Sequence, residues 1–275
     1  MKRPLILLTN DDGIRSMGLR AAAIACADLG DLLIVAPAVQ QTAQGRAKPI
    51  AHEGRILAQP FDLGPDHAPI TAYAVEGSPA QAVEVALMEL LDAERTRIDL
   101  AISGINYGEN IGEGLTVSGT IGAAMEAASF GIPALAVSQQ TQAEHYLSHD
   151  VALDFAATAQ VVRQFATWVL ERGLPPGVDV LKIDTPEGVT VETSWRWTRA
   201  SRYRYFYPVA PQRLALDERA RMGFEVRVDP LRVEPDSDVR AVAIDKIISV
   251  TPLSNDLTAN IDMTGHVGWN GGDGA

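Results

Sequence analysis

Residues 9–13 read Thr9-Asn10-Asp11-Asp12-Gly13 and follow directly on an apolar run, Leu5–Leu8. Neighbouring strand residues point to opposite faces, so two adjacent aspartates can aim at one point only where the chain leaves a sheet. Gly13 marks such an exit. Two carboxylates held close repel and raise each other's pKa unless a cation sits between them. A hard divalent metal resolves that repulsion; an acidic turn capping the next helix is the alternative. Two further loops carry compatible chemistry. Gln40-Gln41-Thr42-Ala43-Gln44-Gly45 offers amides, a hydroxyl and a glycine, or is an ordinary surface loop. Ser103-Gly104-Ile105-Asn106-Tyr107-Gly108 begins a glycine-rich stretch, and Ser118-Gly119-Thr120 then opens a helix. Glycines let backbone amides come close to a ligand, and the free N–H groups of a helix start suit an anion such as phosphate. The spacing is neither a P-loop nor a dinucleotide fingerprint. Together the three loops point to a metal and a phosphate at one edge.

What must position these loops is an alternation of strands and helices. Leu5–Thr9, Leu32–Ala36, Thr71–Val75, Ile98–Ser103, Pro133–Ser138 and Val178–Ile183 read as buried strands. Gly18–Leu29, Pro79–Leu91, Ser118–Ser129 and Val151–Leu170 read as helices. Apolar strands alternating with helices predict a parallel sheet covered on both faces, and ligands of such sheets bind beyond the carboxyl ends of the strands. After about Pro186 the texture changes. Val189–Tyr207 and Phe224–Val228 read as β-rich, Ala241–Val250 as a returning strand, and Gly271–Ala275 as a disordered tail.

The chain has 275 residues, 47% hydrophobic and 21% charged, the profile of a globular protein. Its net charge of −12 repels long polyanions, so a nucleic-acid partner is not expected. One cysteine, Cys26, permits no internal disulfide and favours a reducing, cytoplasmic setting. The start does not read as a secretory signal, and the greasy stretch Ala21–Val39 is broken by Asp28 and Asp31, so no membrane span is expected. His145 and His149 stand four apart without the Glu of a zinc-peptidase helix and read as surface residues. The segment Arg199–Tyr207 mixes cations and aromatics that could stack nucleobases; given the charge, an arm packing on another subunit is the stronger reading.

The motifs resemble those of the SurE (survival protein E) family of metal-dependent nucleotidases. The resemblance rests on Ile6 to Ile14, Val35-Ala36-Pro37, Gln41 to Gly45, Gly77-Ser78-Pro79-Ala80, Ser103 to Gly108, Ser118-Gly119-Thr120 and Thr251-Pro252-Leu253, in family order and nearly end to end. It implies a Rossmann-like three-layer α/β/α core with a β-rich C-terminal oligomerisation extension. In that reading residues 1–275 form one domain: a core of about 1–186 plus 241–262, an arm of about 189–240 and the tail 271–275. The implied activity is hydrolysis of nucleoside 5′- or 3′-monophosphates by a homodimer or homotetramer. It needs one divalent cation (Mg, Mn or Co), with Asp11, Asp12, Thr42 and Asn106 as ligands. Departures from the family pattern are Thr42 in place of the usual Ser, Lys48-Pro49, the Asp245–Ile247 region and Asp217–Gly223.

The mechanism expected from these residues is metal-assisted phosphomonoester hydrolysis, with a water activated by Asp11 or Asp12. Gly45 and the amides of Ser118, Gly119 and Thr120 would hold the phosphate, with Asn10 donating to it. A haloacid-dehalogenase-type mechanism needs Asp-x-Asp, and Asn10 occupies its first position. A catalytically weak nucleotide- or phosphate-binding protein on the same fold is the remaining alternative.

Overall fold

The structure is a computed structural model that describes residues 3–51, 53–91, 97–142, 145–146 and 153–259. Its frame is a nine-stranded sheet in the order β3-β4-β2-β1-β5-β6-β7-β11-β8. The strands are β1 (Leu5–Thr9), β2 (Asp31–Pro37), β3 (Ile56–Phe61), β4 (Ile70–Val75), β5 (Leu100–Tyr107), β6 (Ala134–Gln139), β7 (Val180–Thr185), β8 (Trp195–Trp197) and β11 (Ile248–Leu253). From β4 to β7 all neighbours run parallel. β3 and β11 join antiparallel on β4 and β7, and β8 runs parallel to β11 at the far edge. Among the described residues the α-helices are α1 (Met17–Cys26), α2 (Pro79–Met88), α3 (Gly119–Ser129) and α4 (Ala156–Arg172).

Strand alternation divides the core into two layers. Ile6 and Leu8 of β1 pack with Leu19 and Ala23 of α1 and Val162 and Phe165 of α4. Leu5 and Leu7 face the other way, onto Val83 of α2 and Ala123 and Ala127 of α3. Ser78 and Gln81 form a capping box at the start of α2, with Pro79 in its first turn, so this helix begins where sequence dictates. The chain runs outward from β1 through β2 to β4, then returns to β5 and runs the other way. The order therefore reverses between β1 and β5, and their carboxyl ends flank the crevice where such sheets bind ligands.

Several sequence expectations are corrected. β3 was not foreseen; it contains Pro60, which is tolerated because the strand lies at the sheet edge. β5 does not end at Ser103 but continues to Tyr107, with its register shifting between Ser103 and Asn106. Asn106 and Tyr107 therefore belong to the strand rather than to a loop. The region read as one strand from Ala241 is a π-type turn over Arg240–Ile244 followed by β11. The helices α1 and α2 stop a turn early, and α4 starts at Ala156. His149 and the 271–275 tail lie outside the described residues. The segment 189–240 is divided rather than a separate arm throughout: β8 joins the edge of the main sheet, and the remainder is mostly irregular apart from a two-stranded hairpin of β9 (Phe206–Val209) and β10 (Gly223–Val226). No helix among the described residues is long and apolar enough to cross a membrane.

One buried charge cluster ties the arm to the core. Lys182 of β7 is fully buried and pairs with Asp184 at 2.5 Å and Asp238 at 3.1 Å. Burial opposes charge on its ammonium, but the two carboxylates outweigh burial and hold its pKa above the ordinary value. Asp184 also accepts the N–H of Asn110 at 2.7 Å, and Asp238 accepts those of Gly112 and Ser201. Core strand, glycine-rich loop and arm thus share one cation.

Candidate active site

Asp11 and Asp12 follow β1 and are both buried, at 5% and 3% exposure. The turn that carries them is held by Asn10. Its Oδ1 accepts the Gly13 N–H and its Nδ2 donates to the Gly13 carbonyl, both at 3.1 Å. Gly13 sits at φ +99°, a conformation that a side chain at this position would strain. Asn10 is itself fully buried, so the structure shows it as the anchor of the turn.

Each carboxylate is oriented from a different element. The Thr120 hydroxyl donates to Asp11 Oδ1 at 2.6 Å. Gly119 lies against Asp11 so closely that an added Cβ would stand 2.6 Å from the Asp11 Cβ. Asp12 Oδ2 accepts the Tyr107 N–H from β5 at 3.2 Å, and Asp12 Oδ1 accepts from Gln40 Nε2 at 3.2 Å. The Gln41 N–H donates to the Asp11 carbonyl at 2.7 Å, fastening the second loop to the first. Burial, then the adjacent Asp12 charge, pushes the Asp11 carboxyl up to about 7, against the pull of the Thr120 hydroxyl.

Asp11, Thr42, Asn106 and Ser118 line one cavity of about 570 Å³, within the range of small-molecule sites. Asn106 donates through Nδ2 to the Gly108 carbonyl at 2.6 Å, leaving its Oδ1 as the atom for a further partner. Ser118 is the N-cap of α3, accepting the Ile121 N–H at 3.2 Å. Gly45, expected from the sequence to hold the phosphate, is buried and is not among the residues lining this cavity; its N–H donates to the Val117 carbonyl at 2.9 Å. Lys48 points away from the carboxylates. Its ammonium pairs with Glu126 and Glu84, each at 3.1 Å, and Arg46 reaches the same buried Glu126. That unusual position thus serves the packing of α2 against α3.

The donor set fits a hard divalent cation. The Asp11 carboxylate, raised toward protonation by burial and by the Asp12 charge, shares its cavity with a neutral hydroxyl and an amide oxygen, while Asp12 stands next to it in the chain and is not among the residues lining that cavity. Among the described residues no group of three or more His, Cys, Asp and Glu side chains could hold a metal. Thr42 and Asn106 bring neutral oxygen donors to the cavity that Asp11 lines.

Sequence reasoning missed the far wall of the cavity. Glu109 is buried and accepts the hydroxyls of Tyr205 at 2.6 Å and Tyr146 at 3.1 Å. Phe206, Pro208, Met222 and Phe224 of the arm complete the wall. Phe206 lay within the basic–aromatic segment already noted. Tyr146 and Phe224 are isolated aromatics with no spacing signal.

A family model described as "Survival protein SurE" matches residues 6–206. The chain is 39% identical over 259 residues to a protein of Thermococcus gammatolerans named 5′-nucleotidase SurE, covering 94% of this chain and 92% of that protein. It is 40% identical over 263 residues to one of Methanothrix thermoacetophila with the same name, covering 94% and 95%. The structure also resembles the crystal structure of the SurE protein from Aquifex aeolicus, with a TM-score of 0.71 and 27% identity, over 93% of this chain and 95% of that one.

Proposed function

The chain belongs to the survival protein SurE family, and from that premise we propose that it is a divalent-metal-dependent phosphomonoesterase acting on nucleoside 5′- or 3′-monophosphates. The observation that carries this reading is the pair of buried aspartates at the strand-order reversal, set against the amino end of α3. Asp11, Asp12, Thr42 and Asn106 would hold Mg, Mn or Co. A bound divalent cation supplies positive charge against the phosphate oxygens as the transition state forms.

The chain's own residues do the rest. The N–H groups of Gly119 and Thr120 bind phosphate oxygens at the helix start; the Ser118 N–H is engaged by the Leu115 carbonyl at 3.4 Å and leaves its place at the site to its side chain. Thr120 fixes the Asp11 carboxylate, and the Tyr107 amide fixes Asp12. Asp11 or Asp12 accepts a proton from the attacking water, whose oxygen forms the new P–O bond. The P–O bond to the sugar breaks, the aspartate returns that proton to the departing oxygen, and the nucleoside leaves as its hydroxyl. We further infer a cytoplasmic homodimer or homotetramer. Cys26, free and fully buried, supports the reducing compartment. The half-exposed Trp195 and Trp197 on edge strand β8 support the assembly.

The test is turnover of adenosine monophosphate and p-nitrophenyl phosphate with and without manganese, for wild type, Asp11→Asn and Asp12→Asn. Each variant is expected to lose ~10²-fold or more in kcat/KM, a few kcal/mol of barrier, while keeping its circular-dichroism spectrum. Near wild-type rates in either variant at saturating metal would remove the site assignment. No turnover by wild type with any metal would leave the weak-binding alternative.

A further inference from the structure

The cavity that begins at Asp11 and Ser118 ends on aromatic rings supplied by the arm. In the β9–β10 hairpin, Phe224 stands opposite Pro208 and Val226 opposite Phe206. Alternation along the strands puts Phe206, Pro208, Met222 and Phe224 on the face that lines the cavity. The other face carries the polar residues: Arg227 pairs with Glu225 and lies over the Tyr207 ring at 4.6 Å. The hairpin therefore turns its apolar side toward the site.

The rings are ordered rather than loosely gathered. Phe224 stacks on Tyr146, with centroids 6.0 Å apart and planes 15° from parallel. Phe206 meets Phe224 edge-on at 5.3 Å. Tyr146 is itself fixed from two sides. Its hydroxyl donates to the buried Glu109, and its ring lies so near Gly108 that an added Cβ there would stand 2.6 Å from it. Despite this bracing, Phe224 remains 49% exposed. A braced aromatic ring left half open, on the wall of a cavity whose floor carries the phosphate-binding helix start, suits a flat π-system tethered to a phosphate.

We propose that Phe224, supported by Tyr146 and Phe206, is the nucleobase platform of this site; the proposal rests on the phosphomonoester reading above. Stacking on a ring accepts every base because each has a π-face. The platform therefore selects nucleotides over phosphate esters without a base, rather than one base over another.

The experiment compares kcat/KM for adenosine monophosphate with that for ribose 5-phosphate, at saturating manganese, in wild type, Phe224→Ala and Phe224→Tyr. Adenosine binding is measured in parallel by saturation-transfer NMR, which involves no phosphate. Wild type is expected to favour the nucleotide. In Phe224→Ala the nucleotide-to-ribose-phosphate ratio should fall about 5- to 150-fold, equivalent to ~1–3 kcal/mol for one base–aromatic stack. Phe224→Tyr should restore the ratio to within about threefold of wild type, and the adenosine signal should vanish only in Phe224→Ala. An unchanged ratio, or undiminished adenosine binding in Phe224→Ala, overturns the platform. So does a change of oligomeric state by light scattering without a change of ratio, which would make the face a contact between subunits. If wild type turns over ribose 5-phosphate as well as the nucleotide, the platform falls and the phosphomonoesterase stands. If it turns over neither, the phosphomonoesterase falls, and adenosine binding alone decides the platform.

Discussion

Replacing Gly119 by Ala should separate activity from stability. The added Cβ would stand 2.6 Å from Asp11 Cβ, 2.8 Å from its Oδ2 and 3.0 Å from its Cγ. Ordinary contact begins at 3.4 Å, so the nearest approach is about 0.8 Å too short. The atom in the way belongs to a buried side chain whose backbone carbonyl is tied to Gln41 and whose Oδ1 is tied to Thr120. The carboxylate or the first turn of α3 must shift by a large part of an ångström. Overpacking of this kind costs about 1–3 kcal/mol. The better helix propensity of Ala offsets up to ~1 kcal/mol of it, so the thermal midpoint should fall by only a few degrees. Misplacing a reacting group by about 1 Å costs on the order of 10²-fold in rate, and the shift falls on the proposed base and ligand. We therefore expect kcat/KM on adenosine monophosphate to fall ~10²-fold in a protein that remains folded at the assay temperature. Retention of activity within about threefold, with an unchanged manganese titration, would refute the reasoning.

Thr42 keeps an oxygen that a hard cation accepts while adding a methyl and restricting χ1. Thr42→Ser should change turnover less than about tenfold, whereas Thr42→Ala should raise the manganese concentration for half-maximal activity; identical titrations of Ala and Thr would remove it from the ligand set. Trp197 is 51% exposed on the edge strand β8 and rests edge-on against Trp195, so Trp197→Glu should lower the mass seen by light scattering at micromolar concentration if that edge is the subunit contact. Burial pushes the Cys26 thiol up to about 12 from an ordinary 9.0. The unfolded chain ionises first, so the thiol's contribution to stability is complete below pH ~9 and declines as pH rises toward 12. Iodoacetamide should leave native protein unlabelled and modify Cys26 only in denaturant, as read by mass spectrometry.

The core was legible because its chemistry is local. Leu5–Leu8 and the strands that follow are continuous apolar runs, and a parallel sheet is the arrangement that buries such runs on both faces. The aspartate pair was legible for the same reason: adjacency, Gly13 and a strand end lie within a few residues. The length of β5 was not, because Gly104 and the polar Asn106 look like a loop, and only pairing with β6 across a register shift shows them as strand. The π-type turn at Arg240–Ile244 was hidden by an apolar sequence that suits a strand equally well. The aromatic wall was hidden by distance. Tyr146, Phe206 and Phe224 are brought together by the hairpin, which no periodicity encodes.

The Lys182 ammonium that Asp184 and Asp238 share bears on how the molecule comes apart. If the arm peeled away alone, Asp238 would leave, and the dry interior would keep a charge pair whose balance had been set for three. Lys182 would keep Asp184, but the Gly112 N–H would lose its buried acceptor, at about 1–3 kcal/mol, a sizeable fraction of the ~5–15 kcal/mol that holds a typical domain folded. Opening the arm therefore carries a cost beyond the few contacts of its own hairpin. The arm has few regular hydrogen bonds of its own, yet it should melt with the sheet in one transition, and hydrogen exchange at Ser201 and Gly112, whose N–H groups Asp238 accepts, should proceed no faster than exchange in β7.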